Sequence, residues 1–384
     1  METEYTTSVG YKIFYGALGG VAFIVACALF KTQGDASSKV IYLFPLIMLA
    51  VAVMIFMNLF KRKVVITDNS IAYSSVFKTT EITFDHIKGF RVGEKAIFVE
   101  PDQQGYAKIR IGDYISIDDY ESLKAWLSTN FKDLDKVEYE EEKEAILHDS
   151  TLGATEADRE QKFNNARKYS IAYSIGGTVL FFGSMILHRR MDLLSYVLLI
   201  YPLAGVLLMS LSNGLIRLFA KKSSAYSSIF TGLLFPSVAL IIQATVDSEI
   251  LSYDNAWVPS LLIGFGMIIA LYFAGLKKTN ESIVGQIIIT IIIAAAYGFG
   301  STMQINSVFD QSKPQVFKTT VIDHHVTHGK STTYHLILGE WGEHHKEDNI
   351  SVSSSFYDQV QVGSQLKVDL KKGVFNIPWY YVEQ

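Results

Sequence analysis

The feature that most constrains this chain is an uncharged apolar run within residues 40–63. It reads VIYLFPLIMLAVAVMIFMNLF, twenty-one residues, and is followed by Lys61, Arg62 and Lys63. About 20 apolar residues cross roughly 30 Å of hydrocarbon as a helix, and only a helix satisfies its own backbone hydrogen bonds there. The run therefore predicts a transmembrane helix. The three cations predict that the segment after it is cytoplasmic, because short basic flanks resist translocation.

The overall composition agrees with a membrane protein. The 384 residues are 49 % hydrophobic with a net charge of −4, and the acidic excess is concentrated in residues 138–144. No bulk basicity indicates nucleic acid as a partner. The single cysteine, Cys27, excludes an internal disulfide framework and a zinc site built from several thiolates.

A second run, residues 13–30, predicts an uncleaved first span. It contains eighteen uncharged residues, and its N-terminal flank carries two glutamates and one lysine, unlike the basic flank of a secretory signal. An alternative comes from the sequence IVAC ending at Cys27, which resembles the lipobox of bacterial lipoproteins, where the cysteine is acylated. The apolar run continues past Cys27 to Phe30, which favours the span.

Residues 63–135 predict a small β domain. The short alternating runs VVI, IAYSSVF, EITF, AIFVE and KIRI are typical of strands of about five residues separated by turns. A helix follows, which Asp118 or Asp119 could cap. Its apolar face would be formed by Leu123, Trp126, Leu127 and Phe131.

A strand meander closed by one amphipathic helix resembles the pleckstrin-homology-like (PH-like) domains found in bacterial membrane proteins. The resemblance includes the segments ITFDHIKGFRV and SLKAWL. Phosphoinositide-binding members place several Lys and Arg residues in the loop between their first two strands, where this chain has Asp68 and Asn69. The resemblance therefore implies a PH-like fold, but it does not extend to the basic loop that binds the lipid headgroup. Lys61, Arg62 and Lys63 are candidates for contact with anionic lipid headgroups, the alternative being that they only determine topology.

Residues 136–168 predict an acidic, solvated helical linker, and residues 169–306 predict five more transmembrane helices. These five uncharged spans are residues 169–187, 193–212, 224–246, 256–276 and 282–306. Basic flanks fall on the cytoplasmic side at Arg167 with Lys168, Arg217 with Lys221 and Lys222, and Lys277 with Lys278. One short basic segment, His188 to Arg190, falls on the other side. With two spans in residues 1–62, the prediction is seven spans, N-terminus inside and C-terminus outside.

Residues 307–384 predict an extracytoplasmic β domain, a small barrel or sandwich. Its strand-like runs are VFKTTVIDHHVT, STTYHLILGEW, DNISVSS and QLKVDL. It resembles the C-terminal β domains of uncharacterised bacterial multi-pass proteins through GKSTTYHL, SVSSSFYDQVQVGSQLKVDL and GVFNIPWY, and this resemblance implies no activity. Six of the nine histidines lie here, and His324, His328 and His335 are candidate ligands for zinc or copper. The alternative is that these histidines are ordinary surface residues.

The fold class that follows is an α-helical multi-pass membrane protein of about seven spans carrying two small β domains, in a bacterial plasma (inner) membrane. No catalytic motif or cofactor site is found, and no span contains a charge. The sequence therefore favours a non-enzymatic interaction, scaffold or sensing protein, with the lipid bilayer and proteins on one or both sides as partners. Alternatives are a transporter or channel for a neutral solute, with Gln243 as the best midplane residue, and an extracytoplasmic metal-binding protein.

Overall fold

The computed structural model describes residues 2–32, 43–187, 192–247, 249–276, 283–329, 332–342 and 344–382. It divides into two compact units. These are Met1–Glu144 with Ser223–Ala225, and Ala145–Lys222 with Tyr226–Gln384. The predicted basic segment His188 to Arg190 and the flank Lys277 with Lys278 lie outside the described residues.

The first unit combines two apolar helices with a β domain. It begins with β1 (Thr3–Thr6), α1 (Val9–Thr32) and α2 (Leu43–Lys61). The strands that follow are β2 (Lys63–Ile66), β3 (Ser70–Ser74), β4 (Thr79–Thr83), β5 (Ile87–Val92), β6 (Ala96–Pro101) and β7 (Ile109–Gly112). The unit ends with α3 (Tyr120–Asn130) and most of α4 (Leu134–His148). Helix α1 runs through Cys27 without a break.

The apolar helix pair is inserted between two neighbouring strands of one sheet. Strands β1 to β4 form an antiparallel sheet in sequence order, with Thr3 opposite Ile66 and Thr6 opposite Lys63. Strands β5 to β7 form a second antiparallel sheet. The two sheets and α3 enclose one core, which includes Val64, Ile71, Phe90, Ile97, Ile111, Leu123 and Leu127. The chain thus leaves the sheet after β1 and returns to it directly after α2.

Two local predictions for this unit need correction. Asp119 stands before α3, but its φ of 50° is left-handed and its side chain makes no capping hydrogen bond, because a capping residue needs extended backbone. The acidic helix α4 is not simply solvated. Its Glu138 lies 2.6 Å from the Arg91 guanidinium, and its Glu142 accepts a 2.8 Å hydrogen bond from the Ala225 amide.

The second unit contains five apolar helices and a C-terminal β domain. It starts with α5 (Glu156–Leu187), α6 (Asp192–Leu211), β8 (Ile216–Arg217), β9 (Ser227–Ser228), α7 (Phe230–Asp247), β10 (Glu249–Ile250), α8 (Trp257–Phe273) and α9 (Ile283–Val308). It continues with β11 (Gln315–His328), β12 (Thr332–Leu338), β13 (Asp348–Val352), α10 (Ser354–Tyr357), β14 (Gln365–Lys371) and β15 (Trp379–Val382). Helix α5 is continuous from the predicted linker into the predicted span.

Five of the described helices are long and apolar enough to cross a membrane. They are Val9–Lys31, Leu43–Lys61, Glu156–Ile186, Leu193–Leu211 and Ile283–Val308. The apolar parts of α7 and α8, Phe230–Thr245 and Trp257–Phe273, are shorter. The fold is therefore that of an α-helical membrane protein, with five of the seven predicted spans meeting the length requirement.

Glycines let the helices of the second unit approach closely. Gly177 of α5 lies against Gly232 of α7, and Gly264 of α8 lies against Gly298 of α9. In each pair the missing side chain allows one backbone to contact the other, which is the close packing that small residues permit in membrane helices.

The C-terminal β domain forms a nearly closed, barrel-like sheet. Its strand order is β10, β15, β14, β11, β12, β13. The Tyr380 hydroxyl of β15 donates a hydrogen bond to Asp348 of the edge strand β13, which links the two ends of the strand order. Buried side chains such as Leu336, Trp341 and Val368 fill the interior. The predicted barrel or sandwich is thus confirmed as a barrel-like sheet.

Strand β10 lies in the connection between α7 and α8, and it pairs with β15 of the C-terminal domain. Glu249 is opposite Tyr380, and Ile250 is opposite Trp379. The Leu251 amide also donates to the Pro378 carbonyl at 2.9 Å. The α7–α8 connection and the C-terminal domain therefore lie at the same end of the helix bundle.

The glycine contacts predict that Gly298→Ala destabilises the bundle. A Cβ at Gly298 would lie 2.8 Å from the Gly264 nitrogen, so α8 and α9 must separate. We expect a loss of about 1–3 kcal/mol, which is typical of overpacking, measured as a lower Tm in detergent. The matched control is Gly266→Ala on α8, where the added Cβ meets no atom within 4 Å. Equal melting of the two variants would contradict the packing argument.

Candidate functional site

The three predicted lipid-contacting cations have different environments. Lys61 is exposed at the end of α2. Lys63 is half-exposed, with its Nζ atom 3.2 Å from the Glu4 carboxylate. Arg62 is only 7 % exposed. The lipid contact stays a prediction, and only Lys61 and Lys63 are exposed enough to make it readily.

Arg62 instead anchors α2 to the β domain. Its Nη1 atom donates to the Ser116 hydroxyl at 2.9 Å, and its Nη2 atom donates to the carbonyls of Gly112 and Asp113. Hydrogen bonds from a charged group are stronger than neutral ones. The guanidinium therefore fixes the end of the membrane helix to the turn that follows β7.

A groove of about 670 Å³ lies beside this anchor, between the helix pair and the β domain of the first unit. We call it the basic groove. One wall consists of helix side chains, namely Tyr15, Met54, Ile55, Asn58 and Leu59. The other wall comes from the β3–β4 turn and from the end of the second sheet, with Ser75, Phe77, Lys78, Lys108, Arg110 and Asp113. The groove thus joins an apolar surface to a polar one.

Three exposed cations line the basic groove. Lys108 is paired with Glu100 at 2.8 Å, and its ammonium lies over the Phe98 ring. Lys78 and Arg110 make no ion pair or side-chain hydrogen bond to any of the described residues. The carboxylate that lines the groove, Asp113, lies 3.5 Å from Arg62 and is partly neutralised by it. The groove therefore carries a positive charge that the described protein does not balance.

Phe77 stands beside the cations at the tip of the β3–β4 turn. Its side chain is 78 % exposed. The turn itself is ordered, because the Ser75 amide and the Ser75 hydroxyl both donate to the Lys78 carbonyl at 2.9 Å. A fixed turn thus presents one large apolar side chain outward next to a basic surface.

The predicted histidine ligands are not brought together. In the register of β11 and β12, His325 is opposite His335, and their rings stack at 4.9 Å. His324 and His328 alternate with His325, so they lie on the face opposite to His335. Among the described residues no group of three His, Cys, Asp or Glu side chains could hold a metal ion. Metal binding stays a prediction without geometric support.

A buried side-chain amide of the second unit forms a hydrogen bond between two helices of the bundle. Gln243 of α7 is 2 % exposed, and its Nε2 atom donates to the Ser195 hydroxyl of α6 at 3.0 Å. Its Oε1 atom has no hydrogen-bond partner among the described residues. A buried carbonyl oxygen without a partner is costly, so this position is a candidate for contact with a polar solute inside the bundle.

Asn306 and Asp310 join the last membrane helix to the C-terminal β domain. Asn306 is fully buried, donates to the Ile377 carbonyl at 2.9 Å and accepts from the Phe375 amide at 3.0 Å. The Asp310 carboxylate accepts from Trp379 Nε1 and the Gly373 amide, each at 2.9 Å. The β domain is therefore attached to α9 by a hydrogen-bond network as well as by the connecting backbone.

Sequence reasoning missed several of these residues, although some left a signal. Lys108 and Arg110 are two apart in the strand-like run KIRI, which places both on one face. Phe77 and Lys78 lie in the segment SSVFK, in which two apolar residues stand between serines and a lysine. Asn306 and Asp310 gave no signal, because their role depends on residues about 70 positions later.

The apolar helices and two β domains define the chain as a helical membrane protein with β-rich modules. No family model, curated protein sequence or solved structure matches it.

The Asp310 network predicts a pH-dependent stability. Burial alone would raise the pKa of Asp310, but the donors Ser312, Trp379 and Gly373 together lower it below its ordinary value. A lowered folded pKa stabilises the protein above the unfolded value, and that contribution is lost as the pH falls from about 4 through the folded pKa. We expect Asp310→Asn to cost about 1 kcal/mol at pH 7 and progressively less below pH of about 4.

The measurement is the Tm of the full chain in detergent from neutral to acidic pH. Asp323→Asn, which removes an exposed carboxylate of the same β domain, is the control and should change Tm little at any pH. A difference between Asp310→Asn and the unaltered protein that does not shrink in acid would contradict the assignment.

Proposed function

We propose that this chain is a non-enzymatic, membrane-embedded interaction or sensing protein that links a cytoplasmic PH-like module to an extracytoplasmic β module. The observation that carries the proposal is that each β domain is attached to its membrane helices by a buried polar anchor. Arg62 makes the attachment in the first unit and Asn306 in the second. Such anchors favour transmission of a binding event over free movement of a tethered domain.

The proposed topology has seven spans, with the N-terminus in the cytoplasm and the C-terminus outside a bacterial plasma membrane. The pairing of β10 with β15 supports this topology. Strand β10 precedes α8 and β15 follows α9, so the chain must cross the membrane an even number of times between them, and α8 and α9 are two crossings. Helix α8 has 17 residues, which is at the lower limit for a span, about 17–25 residues. The basic flanks of the sequence supply the orientation.

The proposed PH-like character of the first β domain rests on its arrangement. A four-stranded and a three-stranded antiparallel sheet share one core with the helix α3 that follows them. This is the arrangement that the sequence resemblance implies. Fold alone does not define a function, so the ligand must be argued from side chains.

The edges of the sheets are the surfaces best suited to protein partners. Strand β4 ends the order of the first sheet, and β13 ends the order of the C-terminal sheet. An extended peptide can add to such an edge through main-chain hydrogen bonds. Thr79 on β4 and Ser351 on β13 are exposed positions along these edges.

The test is site-specific cross-linking in native membranes. A photo-reactive side chain placed at Thr79 or Ser351 of the full chain should give a discrete protein adduct at one site or both. The same side chain at Val258, which is 67 % exposed on α8, should give only lipid adducts. Absence of a protein adduct at both edges would contradict the interaction function and would leave the bundle as the functional part.

Transport of a neutral solute is the second candidate, favoured by the unpaired Oε1 atom of Gln243. Under the leading proposal, proteoliposomes should be no more permeable to glycerol or urea than protein-free vesicles, and Gln243→Leu should change nothing. The control is Ser237→Ala, a buried residue of α7 whose hydroxyl donates to the Leu233 carbonyl of the same helix. A flux in light-scattering assays that is lost in Gln243→Leu and retained in Ser237→Ala would favour transport instead.

A further inference from the structure

We propose that the basic groove binds one anionic glycerophospholipid of the cytoplasmic leaflet. Its phosphate would lie among Lys78, Lys108 and Arg110, and its acyl chains would follow the wall formed by Met54 and Ile55. This deepens the proposed function by naming a ligand for its cytoplasmic module. It rests on that function only for the orientation in the membrane.

The position of the groove favours a lipid. Most of its helix wall belongs to the last turns of α2, directly before Arg62 anchors this helix to the β domain, and Tyr15 of α1 completes it. In a bilayer the end of the apolar stretch lies near the phosphate level, because the polar headgroups begin where the hydrocarbon ends. The groove therefore opens where a phospholipid already presents its phosphate.

The charge of the groove favours an anionic lipid over a neutral one. Lys78 and Arg110 have no ion-pair partner among the described residues, and Asp113 is held beside Arg62. Arg binds phosphate oxygens through two parallel N–H donors, and Lys binds them as a point charge. The negative charge of a phosphodiester would balance the positive charge of Lys78 and Arg110, which the described residues leave unpaired.

The apolar side of the groove distinguishes a lipid from a soluble phosphate. Met54 is 49 % exposed on α2, and Phe77 is 78 % exposed on the facing turn. Acyl chains can lie along such an apolar surface, whereas a soluble phosphate has no apolar part that could contact it. The volume also falls within the usual range of small-ligand sites, about 300–1,000 Å³, and leaves room for more than a phosphate group.

The experiment is native mass spectrometry of the full chain in detergent, titrated with phosphatidylglycerol and, separately, with phosphatidylcholine. We expect one phosphatidylglycerol to bind in preference to phosphatidylcholine. The double variant Lys78→Gln/Arg110→Gln should weaken that binding about thirtyfold, given the usual contribution of a cation at an anionic surface. The control Lys88→Gln/Lys95→Gln removes the same charge from exposed positions of the same domain that do not line the groove.

Two further arms separate the lipid from its soluble headgroup. Glycerol phosphate should compete only weakly, and Met54→Gln should weaken phosphatidylglycerol binding without affecting glycerol phosphate. Competition by glycerol phosphate at the affinity of the lipid would make this an anion site and overturn the proposal. An equal loss in both double variants would also overturn it, because it would indicate non-specific surface charge.

Folding and function can be separated in the same experiment. Equal Tm values of the two double variants and the unaltered chain exclude misfolding as the cause of a loss. The protein adduct at Ser351, in the C-terminal domain, does not depend on lipid in the groove, so Ser351 is the site to compare with lipid binding. Failure of lipid binding with intact adducts would overturn this inference alone, whereas lost adducts with intact lipid binding would overturn only the protein-interaction function.

Discussion

Every backbone amide and carbonyl inside a bilayer must find its partner within the protein, because no water is present to replace it. In this chain the longest apolar stretches are helices, and the strands of both β domains lie outside the apolar helical segments. The positions where a membrane helix ends and a strand begins therefore need additional hydrogen-bond partners for the backbone. There the helical hydrogen-bond pattern stops, and other donors and acceptors must replace it.

The two attachments meet this demand with polar side chains. At the end of α2, the charged Arg62 donates to two carbonyls and a hydroxyl. At the end of α9, the neutral Asn306 uses both its donor and its acceptor and is fully buried. A neutral amide is the cheaper choice at a fully buried position, because burying a charge costs more than burying an amide. Arg62 tolerates its charge because it lies against two carbonyl oxygens, a hydroxyl and the Asp113 carboxylate.

The sequence predicts those features that depend on one contiguous segment. Helices α1 and α2 follow from long uncharged runs, and the alternating runs predict most strands correctly. Strand β1 was missed because its four residues carry no alternation, and its partner β2 lies almost 60 residues later. The histidine arrangement could not be predicted for a similar reason. The register between β11 and β12 decides which histidines share a face of the sheet, and a shift of one residue would move a histidine to the other face. The anchors Asn306 and Asp310 depend on contacts of equally long range.

The insertion of α1 and α2 between neighbouring strands explains why a groove forms in the first unit at all. Because β1 and β2 are adjacent and antiparallel in the sheet, both helices join the β domain at the same end of these strands. The first turns of α1 and the last turns of α2 therefore face the loops at that end. The β3–β4 turn and β7 supply those loops, and they carry the cations. A terminal helix joined by a long linker would leave the same loops free in water. Direct insertion places a basic surface and an apolar helix surface on opposite walls of one groove. A lipid can contact both walls, whereas a wholly soluble anion can contact only the basic one.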